Sequence, residues 1–403
     1  MSALEKMKKM SSQDVLDLIK ESGIEEYGLY KQPLFDRLMA AKAESEEEKK
    51  EPGVIAALNN ADTDRVLLAV LRQNPKRVME GICIAAHALG TEKKVLHLPE
   101  EETELLEGMK ETAEKYGVEL IAGIVNVRAA KGCALLHLVT VKNLADFLDG
   151  CYEKGTYVSV NGNEIKKVKD DTKIVDLLKK EGVTDGIKAF VYGYEFHTVK
   201  EAEKTLGEAG ITNGLIRVLT EKDCIVQETE KTLLASRKTS CGKCVFCREG
   251  LIQLEHMQKE ITEGRGKNGS IDLTKEIGEA MCYSTPCSMG HVSSRIALTA
   301  TDLFEDEYEA HIKKKKCPAG KCSAFINLYI DPTLCNGCGE CIDVCPKDCI
   351  EGKPKYIHMI DDFDCTKCGK CIPVCEEEAI IKTTGKLPKL PTKLTKVGKF
   401  RKR

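Results

Sequence analysis

The sequence predicts a multidomain protein of mixed α/β and α+β type, with a helical segment late in the chain and a compact cysteine-rich module near its C-terminal end. Three observations predict this. At 403 residues the chain is too long for one ordinary core, and about two to four domains are expected. The hydrophobic pattern changes character several times along it. Of the 20 cysteines, only Cys83, Cys133, Cys151 and Cys224 precede Cys241. The formal charge is -3 with 31% charged residues, an ordinary soluble surface that asks for neither nucleic acid nor membrane. The opening MSALEKMKKM lacks an apolar signal core, and runs such as VLLAVL are too short for a membrane span. Many cysteines without an export signal point to metal or cluster ligation rather than disulfides, and to a cytoplasmic, low-oxygen setting such as that of an anaerobe.

Residues 1–146 form the first expected domain. After a helical start and the acidic, lysine-rich AESEEEKKE, the runs VLLAVL, MEGICIAAHALG, KVLHL and VELIAGIV alternate helices with short strands, as an α/β layer does. Residues 147–219 change pattern: TYVSVNG with an Asn161–Gly162 turn, then EIKKV and IVDLLKKEG, predict a small β-grasp or α+β unit. Residues 220–313 are strongly helical. Residues 314–383 hold the cysteine-rich module, and 384–403 form a basic tail without acidic residues, expected to be a disordered solubilising segment or a dock for an acidic partner.

The module contains CNGCGEC (Cys335, Cys338, Cys341) followed by Cys345, and CTKCGKC (Cys365, Cys368, Cys371) followed by Cys375. Each is C-x2-C-x2-C-x3-C, the spacing that wraps a [4Fe–4S] cubane. In two-cluster ferredoxins the fourth cysteine serves the other cluster, so Cys375 completes the first site and Cys345 the second. Zinc ribbons need two widely separated CxxC knuckles and fit less well. A third triplet, Cys241, Cys244 and Cys247, lies in SCGKCVFCREG at a helix start, where unpaired N–H groups favour a negatively charged cluster. Its fourth ligand must come from elsewhere, with Cys282 and Cys287 as candidates. The chain therefore reads as one that moves electrons.

SCGKCVFCREG resembles the SCGKC-x-PCR-x-G signature of the flavoprotein subunit of respiratory complex I and of the B subunit of electron-bifurcating hydrogenases. The resemblance implies Cys287 as fourth ligand, with Thr285 in place of a serine and Cys282 a bystander. The ferredoxin tail with EYEAHIKKKKCPAGKC and HMIDDFDC is similar to the hydrogenase-type subunit, and 147–219 is loosely similar to the soluble-ligand-binding (SLBB-like) β-grasp domain. Cys317, Cys322, His311 and His358 match positions of that subunit, and two thiolates with two imidazoles make a closed tetrahedral set for zinc. Cys349 is expected to pack in the core.

The family's flavin site is degenerate here. Its glycine-rich loop GRGGxGFP corresponds to IEEYGLYKQP, where only Gly28 remains and Glu25, Glu26, Tyr27, Tyr30 and Lys31 fill the space a phosphate needs. The acidic turn of the second element is deleted between Asn60 and Arg65, and AGIVNVRAAKGCALL replaces the third. FMN and NAD are accordingly expected to be absent, and the first domain to persist as a remnant of the flavin-domain layer. No Walker loop, HExxH or GxSxG occurs, and no catalytic residue is assigned. Glu376 and the two glutamates after it are expected to lower the potential of the cluster beside them. The reading is an electron-transfer subunit of a multi-subunit oxidoreductase, with three [4Fe–4S] clusters between a partner flavoprotein and a ferredoxin or related carrier. Its rivals are an NADH-oxidising, FMN-containing catalytic subunit of a bifurcating dehydrogenase or hydrogenase, and a scaffold with non-redox clusters.

Overall fold

In the computed structural model, residues 3–384 and 386–400 are described. The chain divides into two compact units. The first runs to Thr220 and takes in Lys231–Glu255 and Asp272–Leu303; the second comprises Glu221–Glu230, His256–Ile271 and the chain from Phe304 onward. The helical segment 220–313, expected as one domain, is thus shared between them. Among the described residues, no helix is long and apolar enough to cross a membrane.

The first unit begins with a parallel four-stranded sheet, order β3-β2-β1-β4, built from β1 (Gly53–Ala57), β2 (Lys94–Leu98), β3 (Glu119–Ala122) and β4 (Cys133–His137). Every residue of β1 is buried, as a parallel strand covered on both faces requires. The helices Pro75–Leu89 and Leu138–Asp149 cover one face; the first starts on a proline at its N-terminal turn and stops at Gly90 in the left-handed conformation. Gly81 sets their close approach. A Cβ there would lie 1.7 Å from the Val141 carbonyl oxygen, so no other residue fits without moving a helix.

A second sheet in this unit has order β6-β5-β9-β7-β8, with β5 (Thr156–Val160) and β9 (Leu215–Thr220) parallel. The edge strands β6 (Lys166–Val168) and β8 (Glu195–Thr198) pair antiparallel with β5 and with β7 (Ile187–Tyr192), and β7 pairs antiparallel with β9. Asn161 and Gly162 both take positive φ, 54° and 81°, and Asn163 N–H bonds the Val160 carbonyl at 3.0 Å, a type I′ turn. Ile174, Leu177 and Leu178 of the helix Ile174–Lys180 pack on Val158, Val160, Phe190 and Tyr192.

The second unit ends in a module of two antiparallel strand pairs: β10 (Asn327–Ile330) with β13 (Ile380–Thr383), and β11 (Ile350–Glu351) with β12 (Met359–Ile360). The tail is not a free segment over its described part. Ile357 N–H bonds the Thr395 carbonyl at 2.9 Å and Val397 N–H bonds the Lys355 carbonyl at 3.1 Å, so residues 395–397 lie along the module as an added edge. Paired peptide groups overcome the solvating effect of the lysines.

Candidate metal centres

In the first unit, Cys247 stands one turn into the helix Val245–Thr262, and Gly242, at φ 68°, lets the chain double back so that Arg248 Nη1 donates to the Gly242 carbonyl at 3.2 Å. Cys287 caps the short helix Ser288–Val292. Burial pushes the Cys247 thiol up, and the neighbouring Cys287, Cys241 and Cys244 push it further. Cys287 is thus a neighbour of the triplet Cys241, Cys244 and Cys247. Cys282 turns aside, its Sγ 3.4 Å from Ser294 Oγ. Thr285 fits against Gly290, where a Cβ would lie 2.5 Å from it.

In the module, burial pushes the Cys341 thiol up to about 12, with added repulsion from Cys335, Cys338, Cys371 and Cys375. Cys371 is raised by burial and by Cys365, Cys368 and Cys345. Cys375 thus neighbours Cys341, and Cys345 neighbours Cys371. Burial opposes ionisation of Cys345, but the N–H groups of Lys347, Cys349 and Asp348 and the Cys349 thiol hold it low. Cys349 is buried with its Sγ 3.5 Å from Cys345 Sγ, so its packing place is at the edge of this set. All of these cysteines are free thiols.

A further set assembles in the second unit. Cys224, His311, Cys317 and Cys322 are all buried, with ligand atoms within 4.8 Å of one another. Cys224 Sγ lies 3.6 Å from Cys322 Sγ and 3.4 Å from His311 Nε2, and Cys322 Sγ lies 3.5 Å from that nitrogen. Thiolates about 2.3 Å from a tetrahedral ion sit about 3.8 Å apart, so these spacings suit zinc. His311 Nδ1 is 2.7 Å from the Glu307 carbonyl; that acceptor places the proton on Nδ1 and leaves Nε2 as a lone pair aimed at sulfur, the outer hydrogen bond typical of a metal-bound histidine. Glu307 Oε1 also accepts Ile225 N–H at 2.9 Å, which fixes the residue next to Cys224. Cys317 accepts Lys321 N–H at 3.4 Å, and the thiols of Cys224 and Cys322 hold its own thiol low.

This corrects the tetrad drawn from sequence. His311, Cys317 and Cys322 come together, but the fourth member is Cys224. His358 lies elsewhere, buried with Nδ1 3.8 Å from Cys335 Sγ, and burial holds its imidazole below the usual range. Cys224 was legible only as a cysteine outside every triplet, set in the apolar DCIV before a helix.

The loop facing the first sheet is a small hairpin. Glu25 bridges Pro33, and Glu26 N–H bonds the Gln32 carbonyl at 2.8 Å. Glu26 Oε1 accepts His137 N–H at 2.6 Å at the start of the helix Leu138–Asp149, the position where an open α/β sheet offers N–H groups to an anion. Burial raises the Glu26 carboxyl to about 6 against the pull of His137. Tyr27 N–H bonds Thr140 Oγ1 at 2.8 Å, and its ring lies 5.2 Å from that of His137. Asp62 accepts a short hydrogen bond from Tyr194 Oη and lies 3.6 Å from His137 Nε2. A cavity of about 760 Å³ remains beside this hairpin, lined by Arg37, Leu58, Asn60, Leu135 and Cys287 among others.

Comparison with known proteins places iron–sulfur binding regions in this chain. Residues 228–311 match the NADH-ubiquinone oxidoreductase-F iron-sulfur binding region, and residues 327–382 match a 4Fe-4S dicluster domain. The chain is 34% identical over 164 residues to the NADP-reducing hydrogenase subunit HndC of Solidesulfovibrio fructosivorans, covering 41% of this chain and 32% of that one. It is 27% identical over 120 residues to the mitochondrial NADH-ubiquinone oxidoreductase 51 kDa subunit of Neurospora crassa, covering 30% and 23%. The chain spans about a third or less of the curated relatives it matches. A crystal structure of NAD+-reducing [NiFe]-hydrogenase in the H2-reduced state superposes with a TM-score of 0.63 at 16% identity, over 75% of this chain and 63% of that one. That likeness is one of fold. The chain carries iron–sulfur binding regions of the kind found in these oxidoreductase subunits.

Proposed function

We propose that this chain is an iron–sulfur electron-transfer subunit of a multi-subunit, cytoplasmic oxidoreductase. It passes electrons one at a time through three [4Fe–4S] clusters, between a partner flavoprotein and a ferredoxin-like or other redox partner. The observation that carries this reading is the match of residues 228–311 and 327–382 to iron–sulfur binding regions; the ligands read into them are Cys241, Cys244, Cys247 and Cys287, then Cys335, Cys338, Cys341 and Cys375, then Cys365, Cys368, Cys371 and Cys345. Substrate chemistry sits on the partner in this reading. The Cys224–His311–Cys317–Cys322 set holds a structural zinc, closed by four protein ligands with no position left for catalysis.

FMN and NADH have no part in this reading. The carboxylate of Glu26 takes the helix N-terminus where a cofactor phosphate would be received, and two like charges do not share one such seat. The cavity beside Cys287 supports one rival, an NADH-oxidising subunit with a remodelled flavin pocket. The two readings part on a single measurement. The protein is purified anaerobically, analysed for iron, zinc and flavin, and mixed with NADH, with dithionite as control. The relay reading expects about twelve irons, one zinc and no flavin, with bleaching of the iron–sulfur absorbance by dithionite only. Prompt bleaching by NADH alone overturns it.

A further inference from the structure

The two halves of the ferredoxin module repeat each other, and the repeat isolates one residue. Leu328 stands seven residues before Cys335, and His358 stands seven residues before Cys365. Each faces the cysteine set of the opposite half. Leu328 lines the small cavity among Cys345, Cys365, Cys368 and Cys371. His358 lies against Cys335, with Nδ1 3.8 Å from its Sγ. The same position is therefore apolar at one cluster and carries a hydrogen-bond donor at the other.

The seat of His358 is built for it. The side chain is 2% exposed, and Gly352 backs its ring so closely that a Cβ there would lie 2.0 Å from Cδ2. Nε2 has no hydrogen-bond partner among the described residues. The contact with sulfur is thus the polar interaction that the ring makes within this pocket. An iron-bound thiolate accepts hydrogen bonds and donates none, so the shared hydrogen belongs to Nδ1.

Resting on the three-cluster reading, we propose that His358 is a positioning residue for electron transfer: its Nδ1–H donates to the Cys335 sulfur and raises the reduction potential of the first ferredoxin cluster. Reduction adds one electron to the cluster and moves no atom. The added charge is partly carried by the thiolate sulfurs, so a donor held on one of them favours the reduced form. The sequence alone predicts the opposite bias at this cluster, because Glu376, Glu377 and Glu378 follow its fourth ligand. All three are exposed, where water and salt screen them, whereas the imidazole acts at contact distance in a buried pocket. At the second cluster Cys349 offers Cys345 an S–H, a weak donor, and Leu328 offers nothing.

The test is a redox titration of the full chain followed by electron paramagnetic resonance, comparing wild type with His358→Leu and His358→Gln. Leucine installs what the other half already has. The expected result is a shift of about tenfold in one cluster's reduction equilibrium toward the oxidised form, about 59 mV for one electron. The other two clusters should move by less than about twofold, and glutamine should restore part of the shift. A shift below about twofold in all three, or an equal shift in all three, overturns the proposal. Should the leucine variant fail to assemble, wild-type protein with 15N-labelled histidine decides: pulsed resonance must find one histidine nitrogen coupled to a reduced cluster, and finding none overturns it. Clusters present without the shift sink this inference alone. Wild-type protein lacking cubanes sinks the relay reading and this inference together.

Discussion

The parallel sheet near the N-terminus and the cysteine sets that follow it respond to sequence change in opposite ways. The sheet rests on its buried β1, its two covering helices and the Gly81 crossing, while the loop over its strand ends is a hairpin filled by Glu26 and Tyr27. A core is held by many small contacts that survive the loss of any loop. A cluster or metal site is held by four donors, and losing one removes the group. A sheet can therefore tolerate changes in its loops, whereas a ligand set cannot lose a member and keep its ion.

The strongest way to break that contrast is at the ligands. Cys287→Ser should remove about a third of the iron and one of the three reduction waves, while Cys282→Ser, whose thiol meets Ser294, should keep both. Iron analysis with paramagnetic resonance checks this, and equal losses in the two variants would mean that the bundle set is misassigned. Next, Cys224→Ser should lose the zinc and expose the chain around His311 and Cys322 to rapid hydrogen exchange, since structural zinc contributes on the order of 10 kcal/mol. His358→Ala should keep the zinc in full. Metal analysis of the two variants discriminates the tetrad seen in the fold from the one drawn from sequence.

The sheet side should respond in stability and not in chemistry. Gly81→Ala forces a methyl group into the Val141 carbonyl and should cost about 1–3 kcal/mol in denaturant unfolding of the first unit. Its iron–sulfur spectrum should be unchanged. The smallest effect is at Glu26. Its carboxyl is raised by burial from 4.5 to about 6, so the ionised form opposes folding, and this penalty is absent below pH 4.5 and fully present above pH 6. Glu26→Gln should thus stabilise the unit by up to about 2 kcal/mol at pH 7.5 and hardly at all at pH 4.5. A gain independent of pH would locate the effect in packing rather than in charge.

What the sequence determined by itself is what local spacing controls. C-x2-C-x2-C places three sulfurs on one turn of chain, so the three cluster loops, the Asn161–Gly162 turn and the alternating strands were readable from neighbours within a few residues. Only the tertiary structure decided the partners that arrive from far away. Cys224 reaches His311 across 87 residues, and no spacing rule records that approach. His358 left the zinc set for Cys335 because β12 leads its segment along the opposite half of the module. The tail was read as free from its lysines, yet its peptide groups found an open edge at Lys355 and Ile357. Local geometry is written in residue spacing; long-range approach is set by how cores and strand edges pack, which single residues do not announce.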